Sequence, residues 1–162
     1  MRIYFDNCCL QRPLDDQTQP RIRVESEAVL ALLNVVQSGD IILLNSEALE
    51  YEMRQIPDTT RRNEIIAVLA LAKERLELTD ATVTLAEFLE NKGIDPMDAV
   101  HLALASIAKA DFFSSCDDKL LKKAQAITAY ISHLIKVDFC NYFDIEKFYV
   151  TAKSCHPSSR LL

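Results

Sequence analysis

Asp6, Glu52, Asp98 and Asp117 are four carboxylates placed in turn at the end of a strand, on the helix after a second strand, in the first turn of an Ala-rich helix and just after a late strand. Carboxylates brought together repel one another and lose hydration unless a cation lies between them, and hard oxygen ligands select Mg²⁺ or Mn²⁺ rather than zinc. Singly, each has a plainer use. Asp6-Asn7 can end a strand in a turn, Glu52 can sit on a solvated helix face, Asp98 can close a capping box with Asp95, and Asp117 can cap a helix. It is their joint placement at successive strand ends that makes a metal site the chemical hypothesis.

The elements that must position them follow from the apolar pattern. Arg2 to Phe5 reads as a short strand, and Gln11 to Pro20 as a polar loop. Val24, Ala28, Val29, Leu32, Leu33 and Val36 recur at helical spacing, with Ser38-Gly39 as a stop. Asp40 to Leu44 is a continuous apolar strand of the kind buried on both faces of a parallel sheet, and Asn45-Ser46 opens a helix from about Glu47 to Gln55, ended by Pro57. Arg61 to Leu78 carries Ile65, Ile66, Val68, Leu69, Ala72 and Leu76 on a helical stripe, and Thr84 to Asn91 predicts another helix. Asp95 as N-cap and Pro96 at the first helical position open an Ala-rich helix over Ala99 to Ala110. Asp111 to Ser115 reads as a strand, Asp117 to Ala126 as a helix, and Leu134 to Val137 as a last strand. This alternation predicts an α/β fold, a three-layer α/β/α sandwich with a mainly parallel central sheet, whose ligands gather at the carboxyl ends of the strands. One domain over residues 1–150 and a mobile tail over 151–162 are expected.

Composition limits the alternatives. Of 162 residues, 49% are hydrophobic and only 2 are Gly, so a packed core is available and a disordered or linker-dominated chain is excluded. The net charge of −6 argues against a uniformly basic nucleic-acid binder, though not against a local basic rim. Five cysteines, Cys8, Cys9, Cys116, Cys140 and Cys155, form no CxxC or Cys/His ligand spacing, so a disulfide scaffold or zinc ribbon is not expected. Asp6 interrupts the N-terminal apolar stretch and no uncharged run reaches bilayer length, which predicts a cytoplasmic protein with reduced thiols and no membrane contact.

Four stretches carry a family resemblance: Tyr4 to Leu10, Ser46 to Glu52, Asp98 to Ala105 (DAVHLALA), and Phe112 to Leu121 (FFSSCDDKLL). In that order, over roughly residues 1–140, the chain resembles the PIN-domain ribonucleases, most of all the small single-domain proteins akin to VapC toxins. The resemblance implies that Asp6, Glu52, Asp98 and Asp117 are catalytic, with Asp6, Asp98 and Asp117 holding Mg²⁺ or Mn²⁺, and Ser115 a supporter where the family often has Thr. It implies RNA as substrate, cut to leave 5′-phosphate and 3′-hydroxyl ends, and makes an antitoxin protein and a homodimer plausible partners. The Gln11 to Arg23 segment is longer and more polar than the toxin pattern, and the chain from Asp138 onward carries no signature. A non-catalytic PIN-like module that binds a protein partner is the main rival. A receiver domain would want paired acidic residues after the first strand, and a haloacid-dehalogenase phosphatase Asp-x-Asp there, where this chain has Asp6-Asn7-Cys8.

Carboxylate-held Mg²⁺ can activate water and neutralise phosphoryl charge, so no Ser, His or Cys nucleophile is needed. Asn7 and His101 are expected to support the site. His101 lies one turn after Asp98 on a helix apolar nearly all round, which suits a buried, hydrogen-bonded imidazole better than a catalytic acid. Arg12, Arg21, Arg23, Arg54, Arg61 and Arg62 cluster near these elements, with Arg12 and Arg54 as candidate phosphate ligands. Cys8, Cys9 and Cys116 read as small buried hydrophobes, close enough to Asp6 to make the site sensitive to oxidation.

Overall fold

The computed structural model describes residues 1–127 and the backbone of 136–139. The strands are β1 (Arg2–Phe5), β2 (Ile42–Ser46), β3 (Glu74–Leu76), β4 (Phe112–Ser115) and β5 (Lys136–Phe139). They form one parallel sheet in the order β3-β2-β1-β4-β5. Seven helices are described: α1 (Asn7–Gln11), α2 (Pro20–Ser38), α3 (Glu47–Gln55), α4 (Thr59–Leu69), α5 (Asp80–Glu90), α6 (Pro96–Ile107) and α7 (Asp118–Ala126). The architecture is the expected α/β/α sandwich on a parallel sheet.

Apolar runs explain the centre of the sheet. Ile3, Tyr4 and Phe5 of β1, Leu43 and Leu44 of β2, and Phe113 of β4 are all buried, as required of strands covered on both faces. Tyr4 pairs with Leu44 on one side and Phe113 on the other, and its ring stacks on Phe113 at 5.8 Å. Helix α2 ends at Gly39, whose φ of 87° favours glycine. A Cβ there meets nothing closer than the Lys73 amine at 3.7 Å, so Gly39→Ala is expected to cost only backbone strain, about 1 kcal/mol in a urea melt. A loss above about 3 kcal/mol would mean that something besides the backbone is at stake.

Three expectations need correction. The stretch from Arg61 to Leu78 is not one helix: α4 stops at Leu69, and Glu74–Leu76 pairs with β2 as a parallel edge strand. Three residues are too few for strand periodicity to show, and Leu76 happened to fall on the helical stripe. What holds this edge is long-range: Arg75 reaches Glu47 and Glu50 on α3. The polar segment after β1 is likewise not all loop. It begins with the one-and-a-half turns of α1 and a 3₁₀ turn at Arg12–Leu14 before α2 starts at Pro20, four residues ahead of the apolar pattern. The last strand lies at Lys136–Phe139 rather than Leu134 to Val137. The 151–162 tail, Cys140 and Cys155 fall outside the described residues.

The strand order places a switch point between β1 and β4. From β1 the chain moves outward to β2 and β3, then returns to the other side of β1 as β4 before reaching β5. Right-handed crossovers send the connections after β1 and β4 to opposite faces, which opens a crevice at the carboxyl ends of those two strands. Asp6 immediately follows β1, and Asp117 lies two residues beyond β4.

Candidate acidic site at the strand switch point

Asp6 is buried, with 6% of its surface exposed, and its amide bonds the Ser114 carbonyl across the β1–β4 seam. Its Oδ1 accepts the Asn7 amide at 2.7 Å; its Oδ2 accepts the Ser115 hydroxyl at 2.8 Å and the Cys8 thiol at 3.0 Å. Burial, and after it the adjoining Cys8 thiol, raise the Asp6 pKa from 3.8 to about 8, against opposing pulls from His101 and Ser115. Ser115 Oγ also accepts the Asp117 amide at 3.1 Å, so one hydroxyl links the carboxylate after β1 to the turn after β4.

Asp98 is half-buried in the first turn of α6, behind Pro96 and N-cap Asp95. Burial first, then the charges of Asp6 and Asp117, raise its pKa from 3.8 to about 6. Asp95 does not cap with its side chain; it binds Lys119 at 3.0 Å and Lys123 at 3.1 Å, tying α6 to α7. Asp117 caps α7, its Oδ1 accepting the Lys119 and Leu120 amides, so its plainer role is realised. That role leaves it exposed and within electrostatic reach of Asp98.

Helix α3 carries three glutamates, and the structure separates them. Glu47 and Glu50 turn to Arg75. Glu52 instead bonds His101 Nε2 at 2.7 Å, while His101 Nδ1 bonds the Tyr4 hydroxyl at 2.7 Å and that hydroxyl bonds Ser46 Oγ at 2.6 Å. Ser46 Oγ in turn accepts the Leu49 amide and caps α3. Burial opposes charge on His101, but the Glu52 hydrogen bond and the charges of Asp6, Glu52 and Asp98 outweigh it and raise its pKa above 6.5. The expected buried, hydrogen-bonded histidine is therefore present, and its partners are Glu52 and Tyr4. Tyr4 and Ser46 belong to this network although their sequence context reads only as strand and helix cap.

Most of the arginines are already committed. Arg12 pairs with Glu25 at 2.9 Å and Asp15 at 3.2 Å, and Arg21 with Glu25 and Asp118. Arg61 clamps the segment after α1 through Asp15, Gln11 and the Leu14 carbonyl. Arg54 is exposed, with Glu50 at 3.7 Å. Exposed pairs of this kind hold side chains loosely.

The donor chemistry around the crevice fits a hard divalent ion. It is rich in carboxylate oxygen, and Asn7 Oδ1 is buried beside Asp6 without a hydrogen-bond partner among the described residues. Asp6 and Asp98 repel each other, a cost that a cation between them would offset. The acidic side chains stand around the crevice rather than converging: among the described residues, the metal-ligating atoms that come within 4.8 Å of one another as a group of three are the sulfurs of Cys8, Cys9 and Cys116. A cavity of about 670 Å³ opens beside this ring, lined by Asn7, Gln11, Tyr51, Glu52, Gln55 and Arg61 among others.

The site belongs to a parallel α/β/α sandwich with carboxylates at its β1–β4 switch point. A chain in the crystal structure of VapBC2 from Rickettsia felis, bound to a DNA fragment from their promoter, matches this one with a TM-score of 0.51 at 12% identity, covering 86% of this chain and 98% of that one. At that identity the likeness is one of fold. No family model matches the sequence, and no curated protein matches it.

Proposed function

We propose that this protein is a metal-dependent ribonuclease of the PIN-like type, hydrolysing RNA phosphodiester bonds, and that it serves as the toxin of a toxin–antitoxin pair in the cytoplasm. The observation that carries the reading is the buried carboxylate of Asp6 at the switch point, whose charge, with that of Asp117, reaches Asp98 across the crevice. The fold neighbour from a VapBC2 structure supports the toxin and antitoxin assignment, and no helix among the described residues is long and apolar enough to cross a membrane.

In this reading Asp6, Asp98 and Asp117 would hold Mg²⁺ or Mn²⁺. When bound, such an ion supplies charge neutralisation on the phosphoryl oxygens and a lowered water pKa. The remaining work falls to the chain. Ser115 keeps the Asp6 carboxylate oriented, and the His101–Tyr4–Ser46 network fixes Glu52 at the cavity wall, where it can orient or accept a proton from the attacking water. The cavity beside Glu52 takes the RNA strand, with Arg54 and the exposed rim meeting phosphate.

The decisive test incubates the protein with a mixed RNA pool and Mg²⁺ or Mn²⁺, alongside Asp6→Asn and Asp98→Asn. Cleavage is expected, and each substitution should lower it on the order of 100-fold or more. Cleavage untouched by both substitutions would sink the metal mechanism, and no cleavage under any condition would favour a module that only binds a protein partner.

A further inference from the structure

We propose that Cys8, Cys9 and Cys116 form a second metal site, for one thiophilic divalent cation of the zinc class, beside the acidic crevice. The three sulfurs lie within 4.8 Å of one another, and Cys9 and Cys116 are 3.5 Å apart. Zinc–thiolate bonds of about 2.3 Å in a tetrahedral site require sulfurs about 3.8 Å apart, so the cluster needs only small side-chain rotations to close on an ion. The Cys116 amide donates to Cys8 Sγ at 3.1 Å, and the Arg12 guanidinium lies against the Cys116 sulfur, where it would offset the one negative charge left when a dication binds three thiolates. Asp6 Oδ2 lies 3.0 Å from Cys8 Sγ but outside the group of three sulfurs, so a water would complete the shell.

Cys9 and Cys116 are buried while Cys8 is partly exposed, so the ion reaches the cluster past Cys8. Binding transfers the three thiol protons to solvent and changes no oxidation state. Soft sulfur ligands prefer this class of ion, whereas the carboxylates prefer Mg²⁺ or Mn²⁺, so the two sites differ in selectivity although they share a boundary. One consequence rests on the function proposed above: a dication on the thiols would repel a second one at Asp6, so zinc should weaken Mn²⁺ binding.

The test titrates the reduced full-length protein with Cd²⁺ under anaerobic conditions. A sulfur-to-cadmium charge-transfer band saturating at one equivalent is expected. Cys9→Ala and Cys116→Ala should lose it, and Cys140→Ala and Cys155→Ala should keep it. X-ray absorption of the zinc-loaded, unmutated protein gives the same answer without relying on variants that fold, with three sulfurs expected at about 2.3 Å. A band retained by both Cys9→Ala and Cys116→Ala, or a zinc shell without sulfur, would overturn the site. Failure of Mn²⁺ to bind in the absence of zinc would count against the nuclease reading alone.

Discussion

Asp6→Asn is expected to stabilise the metal-free protein while removing its response to Mn²⁺. The Asp6 carboxyl is held at about 8 in the folded chain against an ordinary 3.8. Across that interval the folded state keeps a proton that the unfolded chain has released, so stability falls as pH rises. The slope for one such group is about 1.4 kcal/mol per pH unit, and the penalty is fully developed only above the folded pKa. Asp98, held at about 6, adds a smaller loss in the lower part of the same range. Asn is nearly isosteric, caps as well as Asp, and carries no charge to bury. In chelator at pH 8 the substitution should therefore gain on the order of a few kcal/mol, and at pH 5 clearly less. In the unaltered protein Mn²⁺ should raise the melting temperature more at pH 8 than at pH 5, because a cation that binds only the folded state relieves the same repulsion. Melts at the two pH values, with chelator and with Mn²⁺, check both halves. An identical pH dependence in Asp6→Asn would show that this carboxylate is not where the charge is stored.

His101→Ala is expected to destabilise the protein by about 3–5 kcal/mol, a large share of the 5–15 kcal/mol that holds a domain of this size. His101 is 1% exposed and makes two bonds of 2.7 Å, to Glu52 and to the Tyr4 hydroxyl. Truncation opens a void beside the Tyr4 ring, leaves a partly buried carboxylate without its partner, and leaves the buried Tyr4 hydroxyl with Ser46 alone. Tyr4→Phe removes the link between His101 and Ser46 and should cost only about 1–2 kcal/mol, since Ser46 keeps the Leu49 amide. Urea midpoints give these values. A double-mutant cycle between Tyr4→Phe and Glu52→Gln should show coupling of about 0.5–3 kcal/mol, although the two side chains meet only through His101. Additive costs would reduce His101 to ordinary packing.

The sequence by itself determined the order of strands and helices at the centre of the fold and the position of each carboxylate along them. Continuous apolar runs at Ile3 to Phe5, Leu43-Leu44 and Phe112-Phe113 can be satisfied only by strands covered on both faces. Ser46, Asp95-Pro96 and Asp117 mark helix starts by local chemistry. Those signals act over a few residues, which is why they are legible without coordinates. Tertiary structure decided the rest, because it depends on pairs far apart in the chain. Whether Glu47, Glu50 or Glu52 faces the crevice was settled by Arg75 drawing off two of them and His101 receiving the third. The arginines expected around the crevice are largely committed to Glu25, Asp15 and Asp118, partners that spacing does not reveal. Edge strand β3 is too short to have a period of its own. The thiol cluster depends on the β1–β4 register, which pairs Phe5 with Ser114 and so carries Cys116 to Cys8 and Cys9 across more than a hundred residues.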